Sequence, residues 1–274
     1  VDFSIFSLEG KVAIVTGAGS INGMGRATAA VFADAGADVA VSDVNVTGET
    51  FDLEGAAEEV RKLGRRAIAV QADVTKESDI ANLVNKTVKE FGRIDILANV
   101  AGMGVLVPFM ETTREHWDKA FDINLRSQFM CTQAVAKVMM EQKKGNIINW
   151  GSFAGVKISG AFVYGMAKIG VHALTAWSAK EFAPYNIRVN AVVPGNVATG
   201  FGRHAISKFT PPPAATTGPQ LSREERMKEM AKRIPVGKIA EPREIANVAL
   251  FLASEASCQV TGHVLLCEGG MNLM

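Results

Sequence analysis

Lys11-Val12-Ala13-Ile14-Val15-Thr16 runs directly into Gly17-Ala18-Gly19-Ser20-Ile21-Asn22-Gly23-Met24-Gly25-Arg26. The first six residues form a short apolar run of the kind that fills a buried parallel strand, and Gly23–Ala35 carries apolar residues at helical spacing. Four glycines therefore fall between a predicted strand and a predicted helix. Glycine in such a place permits turns with positive φ and a close approach of the main chain to a ligand. The helix that follows offers unpaired N–H groups and partial positive charge, which suit a pyrophosphate.

The same alternation continues along the chain. Asp38–Ser42, Arg66–Gln71, Asp95–Asn99, Asn146–Trp150, Ile187–Val193 and His263–Leu266 read as buried strands. Glu54–Leu63, Ser78–Phe91, Arg114–Glu141, Val163–Phe182 and Pro242–Ala253 read as helices between them. Strands alternating with helices imply βαβ units and a parallel sheet covered on both faces. Right-handed crossovers make a doubly wound sheet the simplest topology. The expectation is a single α/β, Rossmann-like domain over residues 1–274 with about seven strands. Gly195–Leu221 breaks the rhythm: it lacks periodicity and holds four of the nine prolines, which marks a functional loop or a surface insertion.

Composition narrows the function. The chain has 274 residues, 48% hydrophobic and 21% charged, the balance of an ordinary globular protein. Its formal charge of +1 argues against a binder of nucleic-acid phosphates, which needs a basic excess. Cys131, Cys258 and Cys267 are widely spaced with no CxxC, as expected in a reducing compartment. No uncharged apolar run is long enough for a membrane helix, and Val1–Ser4 lacks the features of a signal peptide, so the expected location is cytoplasmic. His116, His172, His204 and His263 show no HxxxH or HExxH spacing, and no metal is expected.

Asp43 closes the second predicted strand, where a dinucleotide fold meets the adenosine ribose. A carboxylate there accepts hydrogen bonds from the 2′- and 3′-hydroxyls and repels a 2′-phosphate, and no Lys or Arg lies between Asp43 and Arg61. The expected cofactor is therefore NAD(H). Asp73, after the third strand, reads either as a contact for the adenine edge or as a helix cap.

The chain has only two tyrosines, and Tyr164 precedes Lys168 by four residues on a predicted helix, which stacks the two side chains on one face. A phenol with pKa near 10 is a weak base at neutral pH, and lowering it by two to three units takes roughly 3–4 kcal/mol. An ammonium at ~4 Å supplies about that much at an effective dielectric of 20.

Together the Thr16–Gly25 loop, Asp73-Val74, Asn99-Val100-Ala101-Gly102, Asn124, Ser152, Tyr164 with Lys168, and Pro194-Gly195 resemble the short-chain dehydrogenase/reductases in their compact form, from Leu8 to about Gly270. The resemblance implies that Tyr164 is the general acid/base and that Lys168 holds the nicotinamide ribose and lowers the tyrosine pKa. Ser152 would hydrogen-bond the reacting oxygen, and Asn124 would hold a water linking Lys168 to solvent. It further implies a cofactor site made by Gly17, Gly19, Asn22, Gly23, Met24, Gly25, Asp43, Asp73, Val74, Asn99, Ala101, Gly102, Tyr164, Lys168, Pro194, Gly195, Val197 and Thr199. Ser152, Phe153, Phe162, Tyr164, Phe201 and Arg203 would contact the substrate.

The sequence departs from the family pattern in four places. Five residues, not three, separate Gly17 from Gly23; Val100 replaces an asparagine; Gly151 replaces a common serine; and Ser152 lies 12 rather than 13 residues before Tyr164. Enoyl-thioester reductases also have a longer glycine loop, but place their tyrosine seven positions before the lysine, where this chain has Ala161. Sugar-nucleotide epimerases share the Tyr–Lys pair with a different glycine pattern and a longer C-terminal domain.

Met103, Val105, Leu106, Phe153, Val156, Ile158, Phe162, Phe201, Ile206 and Phe209 make the expected pocket apolar, with Val105 and Ile158 read as core packing. Lys157, Arg203, His204 and Lys208, in a stretch where Gly200–Leu221 has no Asp or Glu, suggest either an anionic tail on the substrate or solvated surface charge. The expected activity is an NAD-dependent interconversion of a secondary alcohol and a ketone on a largely apolar skeleton. The alternative is a catalytically silent NAD-binding regulator, against which Asn124, Ser152, Tyr164 and Lys168 stand together. The resemblance also implies a homotetramer built on the two long helices.

Overall fold

The computed structural model describes residues 3–158, 161–200, 205–207 and 223–273. The first half runs β1 (Val12–Thr16), α1 (Met24–Asp34), β2 (Asp38–Asp43), a hairpin of β3 (Thr47–Gly48) and β4 (Phe51–Asp52), α2 (Leu53–Lys62), β5 (Ala67–Gln71), α3 (Glu77–Phe91), β6 (Ile96–Asn99) and β7 (Val105–Leu106). The second half runs α4 (Arg114–Phe121), a π-turn at Asp122–Arg126, α5 (Ser127–Gln142), β8 (Gly145–Trp150), α6 (Phe162–Phe182), β9 (Ile187–Pro194), β10 (Ile206–Ser207), α7 (Arg223–Lys232), α8 (Pro242–Ala253) and β11 (Val264–Cys267).

Seven strands form one parallel sheet in the order β11-β9-β8-β6-β1-β2-β5. The chain winds outward from β1 in one direction and, beginning with β6, in the other. The order therefore reverses between β1 and β6, which places a crevice at their C-terminal ends. This is the doubly wound, Rossmann-like sheet that the alternation predicts.

Both faces of the sheet are buried, so its strands are nearly continuous apolar runs. Side chains alternate across it. Ala13, Val15, Val39 and Val41 pack with Phe32 of α1, Ala56 and Val60 of α2 and Leu252 of α8. Ile14, Ala40, Leu97 and Ile147 pack on the other side with Leu83 of α3 and Val135 and Met139 of α5. A third, smaller cluster of Val105, Val107, Ala120 and Val163 lies near the crevice.

The expected helix over Arg114–Glu141 is divided by the π-turn, in which one extra residue per turn re-aims the side chain at Asn124. The β3–β4 hairpin, the parallel β7–β10 pair and α7 lie outside the elements expected from periodicity. Among the described residues, no helix is long and apolar enough to cross a membrane and no cluster of side chains could hold a metal ion. All three cysteines are free.

Candidate active site

A cleft of about 330 Å³ opens over the C-terminal ends of β1, β2 and β6. Gly17 sits at its base with φ +69°, and a Cβ there would lie 2.8 Å from the Ala101 backbone. A Cβ on Gly25 would lie 2.2 Å from the Gly17 carbonyl oxygen. The two glycines thus let the start of α1 press against the end of β1. Gly23 caps α1 with no side-chain hydrogen bond, so the first-turn N–H groups face the cleft without a side-chain acceptor. The fit to a pyrophosphate rests on this bare helix start.

Asp43 lies on the cleft wall, 9% exposed, and its carboxylate accepts from Gly19 N at 3.0 Å and from Asn45 N at 2.9 Å. Burial raises its pKa from the ordinary carboxylate value, and the N–H donors of Asn45, Gly19 and Val44 offset part of that rise. Asp73 also lines the cleft. It does not cap α3: its carboxylate accepts from the Thr75 N–H at 3.0 Å and hydroxyl at 2.7 Å and pairs with Lys76 at 3.5 Å. Burial raises its pKa, but the Thr75 and Lys76 interactions outweigh that and leave it lowered.

Of the residues expected to meet the cofactor, Gly17, Gly23, Met24, Gly25, Asp43, Asp73, Val74, Ala101, Gly102 and Thr199 line this cleft. Gly19 lies beneath it, pressed on Asp43, and Asn22 is exposed outside it. Asn99 is also off the wall: its buried amide donates to Thr132 Oγ1 at 3.2 Å and Asn149 Oδ1 at 3.0 Å and ties β6 to β8 and α5. Pro194 ends β9 and Gly195 and Val197 follow it; Val197 bridges to Ala240, and none of the three lines the cleft. Sequence reasoning missed Ser20, Asn45 and Phe51, which complete the wall beside Asp43.

The longer glycine loop has a structural partner. Ser20 forms an antiparallel bridge with Phe51, Ile21 N donates to Thr50 O at 3.0 Å, and Asp52 N donates to Gly19 O at 2.8 Å. The extra residues therefore pair with the β3–β4 hairpin, which folds back over the loop.

Tyr164 and Lys168 stand one turn apart on α6, both buried. The Tyr164 hydroxyl is hydrogen-bonded to Ser152, so the shorter 12-residue spacing still brings the two together. Ser152 also accepts from Ala154 N at 3.2 Å, which fixes it at the start of the Phe153–Gly155 turn. Burial pushes the Tyr164 phenol up to about 12, against a smaller lowering by Ser152. Burial likewise pushes Lys168 down to about 7. Lys168 Nζ donates to Trp150 O at 2.8 Å and lies 5.7 Å from the Tyr164 ring centroid. The expectation that the ammonium lowers the phenol pKa is thus not met in this arrangement. Desolvation dominates both groups, and the lysine proton is directed at a carbonyl.

Asn124 is fully buried in the π-turn, and its side chain is already engaged. Its Nδ2 donates to Met103 O at 2.9 Å and Ala120 O at 3.0 Å, and its Oδ1 accepts from Met103 N at 3.1 Å. A Cβ on Gly102 would lie 2.9 Å from Asn124 Oδ1 and 3.6 Å from Lys168 Nζ, so the three meet at one point. Beneath them His172, one turn after Lys168, fills the space left by Gly151 and Gly155. A Cβ on Gly151 would lie 2.8 Å from its Nε2, and one on Gly155 would lie 3.1 Å from its Cε1.

Among the described residues, those expected to meet the substrate sit with an aromatic cluster. Phe162 packs on Phe109 with ring centroids 4.5 Å apart and on Trp117 at 6.2 Å, while Trp117 stacks on Phe121 at 4.5 Å. Phe153 begins the turn after Ser152. Val105 is buried as expected, whereas Ile158, expected to pack, is fully exposed at the surface. Ile206 N donates to Gly104 O at 3.0 Å and pairs with Val105, which joins this segment to β7. Phe201, Arg203, His204, Lys208 and Phe209 lie outside the described residues.

A family model described as enoyl-(acyl carrier protein) reductase matches residues 17–272. The chain is 36% identical over 265 residues to the 3-oxoacyl-[acyl-carrier-protein] reductase FabG of Thermotoga maritima, covering 96% of this chain and 98% of that one. It is 34% identical over 269 residues to the NAD-dependent glycerol dehydrogenase of Listeria innocua, covering 98% and 96%. Among solved structures, a 7α-hydroxysteroid dehydrogenase complexed with NADH and 7-oxo glycochenodeoxycholic acid superposes with a TM-score of 0.85 at 31% identity, covering 98% of this chain and 97% of that one. Full-length matches of this kind, on a shared fold, make the chain a member of the short-chain dehydrogenase/reductase family of oxidoreductases.

Proposed function

We propose that this protein is an NAD(H)-dependent oxidoreductase that interconverts a secondary alcohol and a ketone on a largely apolar substrate. The observation that carries the reading is the Ser152–Tyr164 hydrogen bond, set beside a cleft whose described charged lining residues are Asp43 and Asp73, with no Lys or Arg among them. Two carboxylates and no cation favour a free 2′-hydroxyl over a 2′-phosphate. Gly17, Gly23 and Gly25 would hold the pyrophosphate, Asp43 the adenosine ribose, and Lys168 the nicotinamide ribose. When bound, the nicotinamide supplies the hydride donor or acceptor.

In alcohol oxidation Tyr164 takes the hydroxyl proton as its phenolate, and in ketone reduction its phenol returns a proton to the oxygen. Ser152 holds that oxygen and steadies its developing negative charge. Lys168, which donates to Trp150 O one helical turn from Tyr164, would refill or drain the tyrosine proton. The three-residue interval between Tyr164 and Lys168 favours carbonyl chemistry over that of the enoyl reductases, whose tyrosine position is Ala161 here. Aromatic Phe109, Trp117 and Phe162 near Tyr164 support an apolar, ring-bearing substrate. One catalytic domain in a homo-oligomer is part of the same reading: Phe129 on α5 and Ile169 and Trp177 on α6 leave an apolar face exposed, as a self-associating surface does.

The test is a panel of secondary alcohols with NAD⁺, cyclic and acidic members included, followed by NADH absorbance. Turnover that disappears in Tyr164→Phe while NADH binding persists supports the reading. Turnover of the same order in that variant, or NADH binding with no turnover on any alcohol or ketone, turns the assignment toward a silent NAD-binding regulator.

A further inference from the structure

Gln128 is a buried amide to which the proton chemistry assigns no step. It stands in the first turn of α5, directly after the π-turn, and is 1% exposed. A carboxamide buried this deeply is costly unless its donors and acceptor are met. Here main-chain groups of two site-bearing segments meet them. Its Oε1 accepts from Trp150 N at 3.2 Å, and its Nε2 donates to Trp150 O at 3.0 Å and to Asn124 O at 3.2 Å.

The two bonds to Trp150 continue the sheet where a strand stops. β6 pairs with β8 as far as Asn99 and Asn149, one residue short of Trp150. On the other side β9 runs on, and Gly151 N donates to Val192 O at 2.9 Å. Neighbouring residues of a strand direct their main-chain groups to opposite sides. Trp150 therefore offers its N–H and carbonyl toward the side where β6 has ended. The Gln128 carboxamide carries both a donor and an acceptor, as a peptide group does, and supplies the next rung.

The carbonyl that Gln128 holds is also the one that takes Lys168 Nζ at 2.8 Å. A carbonyl oxygen has two lone pairs, so Trp150 O receives one donor from α5 and one from α6. Gly151 and Ser152 follow Trp150 directly, so the same rung fixes the start of the turn that brings Ser152 to Tyr164. Through Asn124 O the amide also ties in the π-turn, where Ser127 N reaches five residues back to Asp122 O.

We propose that Gln128 is a positioning residue for the proton chemistry: it clamps the Trp150 carbonyl to the Asn124 turn and so sets where Lys168 and Ser152 stand against Tyr164. This rests on the alcohol–ketone reading above and adds to it a side chain that touches no reacting atom. Thr132 supplies the comparison. It lies one turn further along α5, is 2% exposed, and accepts from Asn99 Nδ2 at 3.2 Å, a buried bond that involves neither Trp150 nor Asn124.

Initial rates on a secondary alcohol or ketone that the wild type turns over, at saturating cofactor, read kcat and KM in wild type, Gln128→Met, Gln128→Asn and Thr132→Val. Gln128→Met keeps the length and removes the amide, and it should lower kcat by roughly fivefold or more while KM moves less. Thr132→Val should lower stability to urea in a similar way yet keep kcat within about twofold of wild type. Gln128→Asn retains an amide but is one methylene shorter, and it decides the matter on the same threshold if the methionine variant does not fold. A smaller fall in kcat, a KM that moves as far as kcat, or an equal fall in Thr132→Val overturns the clamp. A wild type that turns over no secondary alcohol or ketone fails at the earlier step: it removes the alcohol–ketone reading, and the clamp with it.

Discussion

Lys168→Met should stabilise the cofactor-free protein at neutral pH while it stops turnover. Lys168 is 3% exposed, and burial lowers its pKa from 10.5 to about 7. Below pH 7 both folded and unfolded chains carry the lysine proton, and the folded state bears the full cost of a buried ammonium. Between pH 7 and 10.5 the unfolded chain keeps a proton that the folded chain has released, so stability rises with pH at about 1.4 kcal/mol per unit. The whole interval corresponds to roughly 5 kcal/mol. Methionine has a similar length and no charge, and it forfeits a charged hydrogen bond to Trp150 O worth about 1.5–3 kcal/mol. That carbonyl still accepts from Gln128 Nε2 at 3.0 Å and is not orphaned. The variant should therefore exceed wild type by roughly 2–3 kcal/mol at pH 7, with the gap closing by about the same amount by pH 9. Urea unfolding of both proteins at pH 7, 8 and 9 reads this difference; other titrating groups cancel except His172, which burial and the Lys168 charge hold below its usual range. A variant less stable than wild type at pH 7, or a gap that does not change with pH, would refute the claim that burial dominates this lysine.

Because burial pushes Tyr164 up to about 12, its phenolate grows tenfold per pH unit over the working range. Alcohol oxidation should gain in kcat/KM with a slope near +1 in log units from pH 7 to 9, while ketone reduction stays flat; initial rates in both directions check this. Gly25→Ala places a methyl 2.2 Å from the Gly17 carbonyl oxygen and should cost about 1–3 kcal/mol in urea unfolding and sharply weaken NADH binding. Gly151→Ser drives a side chain into Val193 and His172 and should cost about 1–3 kcal/mol, of which His172→Ala restores a part while the Val193 contact stays. Additive losses in that double variant would contradict the packing described here.

Legibility from sequence followed the range of the interactions. Strands such as Val12–Thr16 and helices such as Pro242–Ala253 announce themselves because their burial is written in their own apolar period. The β3–β4 hairpin has strands of two residues each and takes its register from Ser20, about thirty positions away, so no local pattern marks it. The π-turn was hidden inside what reads as one long helix, because a single inserted residue barely disturbs the spacing from Arg114 to Gln142. At the site, Tyr164, Lys168 and Asp43 could be chosen by residue type and position. That Lys168 turns to Trp150 O, and that Asn124 spends its amide on Met103, depend on backbone groups that carry no sequence signature.

Asn124 holds Met103 through both of its main-chain polar groups, and the next residue, Gly104, accepts from Ile206 N. At Ile206 the segment after Gly200 is thus joined to Gly104 by a main-chain bond, one residue from the Met103 that the Asn124 side chain holds. Main-chain moorings are indifferent to side-chain identity. In the proposed reading, substitutions around Ile206 would therefore diversify the substrates accepted while leaving its main-chain bond to Gly104 in place. That arrangement makes the protein a favourable starting point for directed evolution of substrate range: libraries confined to residues flanking the Ile206–Val105 rung vary the pocket and spare the chemistry.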